Sequence, residues 1–140
     1  MTSVFSEAAL GVSAAASWAL LRDVGAAACA FTGVLVASHL EHDVRTVTFA
    51  GGTVVRERII AIDEAQRRIV YAVIEGRFDH HSASMQIVPD GPDGSRFLWF
   101  SDFLPNDFES RVRGLVEQGT AAFRRAAEAL SAKGADDERA

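Results

Sequence analysis

The chain has 140 residues, a net charge of −5 and a single cysteine, Cys29. That length holds one domain with a real core and is too short for two. The fourteen lysines and arginines are interspersed with acids instead of forming a stripe, which argues against nucleic acid as a partner, and one cysteine rules out an intrachain disulfide framework and fits a reducing cytoplasm.

The N-terminal stretch MTSVFSEAALGVSAAA has no basic n-region and carries Glu7, so it does not read as a signal peptide. Alternation predicts a strand over Ser3–Gly11. Ser13 is placed to cap a helix over Ala14–Val24 with Trp18 and Leu21 on its inner side, and Gly25 ends it. Ala26–Ala30 reads as a second short helical turn, and Phe31–Leu40 as a strand. The apolar run from Gly25 to Leu40 is shorter than the roughly 20 residues a spanning helix needs, and Thr32 and Gly33 interrupt it, so stable membrane insertion is not expected. Cys29 has no basic neighbour in sequence to activate it and is expected to be a small buried hydrophobe.

Asp43–Ala50 and Thr53–Ile62 read as a hairpin joined at Gly51-Gly52, a two-residue glycine turn. Asp63–Arg67 is a polar turn, Arg68–Glu75 a strand, Gly76–Asp79 a loop and His80–Val88 a strand. The run PDGPDG (Pro89–Gly94) is a turn, and Ser95–Leu104 is the last strand. Pro105 then separates it from the longest element, a helix over Asp107–Leu130 capped by Asn106 or Asp107. Phe108, Val112, Leu115, Val116, Gly119, Phe123, Ala126, Ala127 and Leu130 recur at helical spacing on one face, and Arg111, Arg113, Glu117, Arg124, Arg125 and Glu128 take the other. Gly119 is the odd member, since a mid-helix glycine costs about 1 kcal/mol against alanine. It marks either close approach of a strand or room left for a ligand.

One strand, one or two short helices, six strands in succession and a long helix predict an α+β domain in which a seven-stranded antiparallel sheet wraps the C-terminal helix. The domain is expected over residues 1–131, with AKGADDERA a flexible tail over 132–140.

Several stretches together carry a resemblance. They are VRTVTFAGGTVVRERI (Val44–Ile59), YAVIEG (Tyr71–Gly76), HHSASMQIVPDGPDGSRFLWFSDFLP (His80–Pro105) and LVEQG (Leu115–Gly119) in the closing helix. In this order they resemble the SRPBCC (START/Bet v 1-like) superfamily, and most closely its bacterial polyketide cyclase/dehydrase-like proteins. The resemblance implies a helix-grip fold over a cavity, as in START lipid carriers, plant abscisic acid receptors, the birch pollen allergen family and aromatic polyketide cyclases. It does not fix an activity. The chain departs from the family pattern at CAFTG (Cys29–Gly33), where Trp-x-Pro is common, and at HLEHD (His39–Asp43), in place of a Gly-rich approach to the third strand.

Strand parity selects the inward side chains. Arg45, Val47 and Phe49 share one face; Val55, Glu57, Ile59 and Ala61 share another; His81, Ala83, Met85 and Ile87 a third. Arg45, Glu57 and His81 are thereby placed inside or at the mouth of the sheet. In the abscisic acid receptors, charged residues at the places matching Arg45 and Glu57 line the ligand cavity, so the resemblance implies that role here. Read from the residues alone, Arg45 and Glu57 are either an ion pair that only satisfies itself or the polar contacts that orient an amphipathic ligand. His81 could titrate near neutrality as a gate or an acid–base group.

Other chemistries fit poorly. His39, His42, His80 and His81, with Glu41, Asp43 and Asp79, match no zinc spacing, so no metal is expected. Ser82, His81 and Asp79 are strand neighbours and cannot form a triad. Neither glycine-rich turn has the lysine or following helix of a phosphate cradle, and no cofactor motif is present. In the last strand, Phe97, Trp99, Ser101 and Phe103 alternate with Leu98, Phe100 and Asp102, and the apolar outer residues suggest a homodimer face.

The sequence therefore predicts binding of a small, largely hydrophobic, aromatic or polyketide-like molecule between sheet and helix. Trp18, Val47, Phe49, Ile59, Tyr71, Met85, Trp99, Phe103, Val116, Gly119 and Phe123 would form apolar walls, and Arg45, Glu57 and His81 the polar contacts. The alternative is a cyclase or dehydratase using His81 or Glu57 as general base, with Arg45 steadying an enolate-like charge.

Overall fold

A computed structural model of the chain describes residues 2–139, with side chains through Leu130. Ser13 holds an extended backbone (φ −59°, ψ 156°), and its Oγ accepts the Ala16 N–H at 3.2 Å, capping α1 (Ala14–Arg22) as the sequence predicts. A 3₁₀ turn over Val24–Ala26 leads into α2 (Ala27–Ala30). Ala27 and Ala30, three residues apart, take the buried side of this single turn. Cys29 therefore points outward and is exposed, contrary to the expectation that it is buried.

The strand expected from Phe31 begins only at Leu35. Phe31 instead terminates α2, its N–H donating to the Ala27 carbonyl at 2.9 Å, and Gly33 turns the chain at φ +92°. The strands are β1 (Thr2–Leu10), β2 (Leu35–Glu41), β3 (Val44–Phe49), β4 (Val54–Asp63), β5 (Arg68–Val73), β6 (His80–Pro89) and β7 (Ser95–Leu104). They form one seven-stranded antiparallel sheet in the order β1-β7-β6-β5-β4-β3-β2, so the first strand closes onto the last.

Two local details depart from simple alternation. The β3–β4 hairpin is a three-residue connection, with Phe49 N–H donating to the Thr53 carbonyl at 2.8 Å, and only Gly52 holds a positive φ of 96°. That is the form in which one glycine completes a three-residue turn, in place of the expected two-residue one. In β4, a bulge between Ile59 and Ala61 flips the parity, so Ala61 pairs with Val70 and becomes exposed instead of facing inward.

The closing helix, α3 (Glu109–Arg139), follows a 3₁₀ turn over Asn106–Phe108 and packs on β1, β7, α1 and α2. Its helical backbone passes the expected domain end at residue 131. The tail expected over 132–140 falls on residues whose side chains lie outside the described set. Val112, Val116, Phe123 and Ala127 are buried as the periodicity predicts, and Ala122 joins them, whereas Leu130 is 41% exposed. Thr120 is also buried, with its hydroxyl returned to the Val116 carbonyl at 2.8 Å.

The main core gathers Leu10, Trp18, Leu21, Ile69, Ile87, Phe97, Phe123 and Ala127, with Phe97 and Phe123 stacked 4.5 Å apart. A smaller cluster of Val4, Phe103, Val112 and Val116 lies toward the start of α3.

Candidate ligand-binding cavity

Trp99 packs against both clusters, and beside it the sheet and α3 enclose a cavity of about 680 Å³. Arg45, Val47, Phe49, Glu57, Tyr71, His81, Met85, Trp99, Val116 and Gly119 all line it. The remaining wall residues proposed from sequence do not. Ile59 is partly buried against the main core, opposite Tyr71 in the register. Phe103 is taken into the second cluster, and Phe123 is fully enclosed by its stack on Phe97. Trp18 is held in the core with its Nε1–H donating to Glu64 Oε2 at 2.6 Å.

At one side of the cavity the register sets Arg45 directly across from Glu57. Both are buried, at 4% and 7% exposure. Arg45 Nη2 lies 2.7 Å and Nε 2.9 Å from the same Glu57 oxygen, Oε1, and Nη1 donates to the Val24 carbonyl at 3.3 Å. The guanidinium also stands 5.0 Å above the Tyr71 ring. Among the described residues nothing donates to Glu57 Oε2. Burial pushes the Glu57 carboxyl above its ordinary range, and Arg45 pulls it back. Burial likewise raises the Tyr71 phenol, with the Glu57 charge adding to the shift. The pair is thus self-satisfied on one carboxylate oxygen and has acceptor capacity left on the other.

His81 sits toward the other side. Glu57 pairs with Val73, so β5 intervenes between Glu57 and the strand carrying His81. Two strand spacings make about 10 Å, so the two groups can address different points of one molecule but do not touch. His81 Nε2 lies 2.7 Å from the buried Ser101 Oγ. Two tautomers satisfy this contact: the Ser101 hydroxyl donates to Nε2 with the proton on Nδ1, or Nε2–H donates to Ser101 Oγ and Nδ1 is left as an acceptor. Nδ1 is buried without a partner, and Trp99 Nε1 lies toward the Tyr71 phenol. Burial lowers the His81 pKa to about 4, so the imidazole is neutral at pH 7.

Gly119 lies against the Trp99 indole. A Cβ there would come within 2.5 Å of Trp99 Cζ3. Close approach of a strand residue therefore accounts for the glycine, and the ring that occupies the vacated space is itself a cavity wall.

The mouth is the part sequence reasoning missed. Phe78, from the β5–β6 loop, packs on His81 at 4.5 Å and on Phe108 at 4.8 Å, bridging the loop to the start of α3. Arg77 and Arg111 line the same region, and Phe31 forms part of the wall 5.8 Å from Trp99. A partly apolar β5–β6 loop ahead of His80 was the only signal available, and Phe78 was hidden in it. Among the described residues no three His, Cys, Asp or Glu side chains gather to hold a metal ion, and no helix is long and apolar enough to cross a membrane. On the outer face of the sheet, Phe100 is 41% exposed and stacks 4.6 Å from Phe5, itself 45% exposed.

The fold recurs in solved structures. An uncharacterised protein from Bacillus thuringiensis superposes with a TM-score of 0.80 at 17% identity, covering 89% of this chain and 98% of its own. Norcoclaurine synthase from Thalictrum flavum, solved with dopamine and hydroxybenzaldehyde, gives 0.74 at 20% identity, with 94% and 87% covered. The di-domain aromatase/cyclase BexL of the BE-7585A biosynthetic pathway gives 0.81 at 14% identity, with 94% of this chain and 48% of that one covered. These identities establish the shared fold and nothing finer. No curated protein matches the chain significantly. The family described as polyketide cyclase / dehydrase and lipid transport matches residues 1–134, and the chain belongs to it.

Proposed function

We propose that this protein binds a small, largely hydrophobic molecule of aromatic or polyketide-like character in the cavity between the sheet and α3. The observation that carries this reading is the cavity itself. About 680 Å³ is an ordinary size for a small-molecule site, and its wall is mainly apolar with a few converging polar groups. Arg45 and Glu57 would fix the ligand's orientation through the free Glu57 Oε2, and His81 would offer a hydrogen bond some distance away. Mass spectrometry of the full chain, native and then denatured, tests it. Release of a bound compound on denaturation is the expected result, and a protein with no measurable affinity for any apolar ligand would overturn it.

One observation favours a catalytic variant of the same reading. His81 is a neutral imidazole beside a buried serine hydroxyl, a state that can accept a proton from a bound substrate. A cyclase or dehydratase built on His81 or Glu57 would lose turnover in His81→Ala or Glu57→Gln while keeping its substrate bound. A carrier would show no turnover to lose. Cytoplasmic location, fitting the lone cysteine, and a homodimer through the Phe5–Phe100 face complete the proposal. Sedimentation of wild type against Phe100→Ser tests the second of these: a dimer that persists in the variant places the contact elsewhere.

A further inference from the structure

Charge along the cavity is unevenly distributed. The charged lining residues are Arg45, Glu57, Glu75, Arg77 and Arg111, an excess of positive charge in a chain whose net charge is −5. Two of these residues are spent on each other, since Arg45 and Glu57 form the buried pair. Glu75 is engaged by Arg56 at 3.5 Å. That leaves Arg77 and Arg111. Neither has an ion-pair partner among the described residues; Arg67, Arg68 and Arg125 share that state, but none of those three lines the cavity. The acids nearest in sequence do not fill the gap. Glu109 goes to Arg113, and Asp79 and Asp107 are not part of the lining.

The two arginines come from separate elements that the fold draws together. Arg77 precedes Phe78 on the β5–β6 loop, and Arg111 lies one helical turn beyond Phe108. The Phe78–Phe108 contact at 4.8 Å brings the two segments to one rim. Their guanidinium groups are exposed and carry rigid forks of N–H donors, which match the oxygens of a carboxylate or phosphate. Arg45 cannot take that part without abandoning Glu57, which would then be left buried and unpaired.

We infer that the ligand is an anionic amphiphile: its apolar body occupies the cavity and its carboxylate or phosphate is held at the mouth by Arg77 and Arg111. This rests on the binding reading above and adds the chemistry of the head group to it. The buried Arg45–Glu57 pair then meets the far, polar-neutral part of the ligand.

Calorimetry of the full-length protein with decanoate, decyl phosphate, decanol and decylamine tests this, repeated on the Arg77→Gln/Arg111→Gln double variant. At low salt, at least one anion should bind about tenfold more tightly than decanol, and decylamine least of all. The better of the two anions tells carboxylate from phosphate. The preference should shrink as ionic strength rises, because the rim is exposed to solvent. It should vanish in the double variant, which still binds decanol. Equal binding of decanol and both anions by wild type overturns the head-group assignment and leaves the cavity reading standing. A preference that survives in the double variant overturns the assignment to these two arginines. Failure of all four to bind, neutral decanol included, overturns the binding reading and this inference with it.

Discussion

The space between the sheet and α3 is solid in one half and hollow in the other, and the same strands and helix build both. In the solid half, Phe97 of β7 stacks on Phe123 of α3 with both rings fully enclosed. Two residues further along β7, Trp99 faces Gly119, one turn earlier on the helix, and there the helix contributes no side chain at all. Beyond that point a polar row opens on the inner face, Ser101 and His81 on β7 and β6, Glu57 and Arg45 on β4 and β3, before Phe103 and Val4 close again on Val112 and Val116. A packed aromatic core tolerates no gap, whereas a row of polar residues held by one another leaves space that a ligand can fill. The solid half holds the sheet on the helix so that the hollow half need not close.

The largest expected effect breaks the solid half. Phe123→Ala removes a fully enclosed ring and should cost about 3–5 kcal/mol, read as a fall in the denaturant midpoint with an unchanged slope. Loss of less than about 1 kcal/mol would mean that the two halves are equally yielding.

The polar row gives the next test. Glu57→Leu leaves Arg45 buried without its partner and should cost about 3 kcal/mol, while Arg45→Met with Glu57→Leu together should recover most of it. Chemical denaturation of the two single variants and the double variant forms the cycle. Additive losses would show that the buried pair is not coupled in the way its geometry requires.

A smaller, pH-dependent effect belongs to His81. Its folded pKa of about 4 lies below the usual value of 6.5, so the unfolded chain takes up this proton first on acidification. The His81 contribution is therefore intact above the unfolded value and is lost as pH falls from 6.5 toward 4. Its size is about 2–3 kcal/mol, allowing for the residue's partial exposure. Glu57 acts in the opposite sense, because its raised carboxyl costs stability as pH rises past its unfolded value. Stability against pH in wild type thus mixes two slopes. The difference between wild type and His81→Gln isolates one of them, and an unchanged slope between pH 6.5 and 4 would contradict the burial of this imidazole.

Much of this division was legible before the fold was in view. Period-two alternation put Arg45, Glu57 and His81 on inner faces, and helical spacing put Val116, Gly119 and Phe123 on the facing side. The Ser13 cap and the PDGPDG turn marked boundaries through local backbone chemistry, which the sequence carries directly. The misreadings share a different origin. Ala61 was displaced by a bulge that shifts parity by one residue, and Phe31 was taken into the end of α2, with Gly33 turning the chain before the strand begins. Phe103 and Phe123 face the right way but are taken up by packing partners that no single strand or helix specifies. The mouth was the least legible part. Arg111 reads as an outer helix residue and Arg77 as a loop residue, and only the approach of Phe78 to Phe108 brings them to one rim.

The boundary between the halves offers the finest test. Gly119→Ala should gain about 1 kcal/mol of helix propensity and lose about 1–3 kcal/mol from displacing Trp99, a small net destabilisation. The informative readout lies elsewhere. A methyl group within 2.5 Å of Cζ3 must push the indole away from the helix, and the indole is a wall of the cavity. Tryptophan emission should therefore shift, and affinity for apolar ligands should fall by more than the change in stability would suggest. Trp18 supplies an internal control, because its Nε1–H is held by Glu64 and it lies outside the cavity. A variant in which Gly119→Ala leaves both emission and ligand affinity untouched would show that the helix yields and Trp99 stays in place, and that the hollow half is set by the polar row alone.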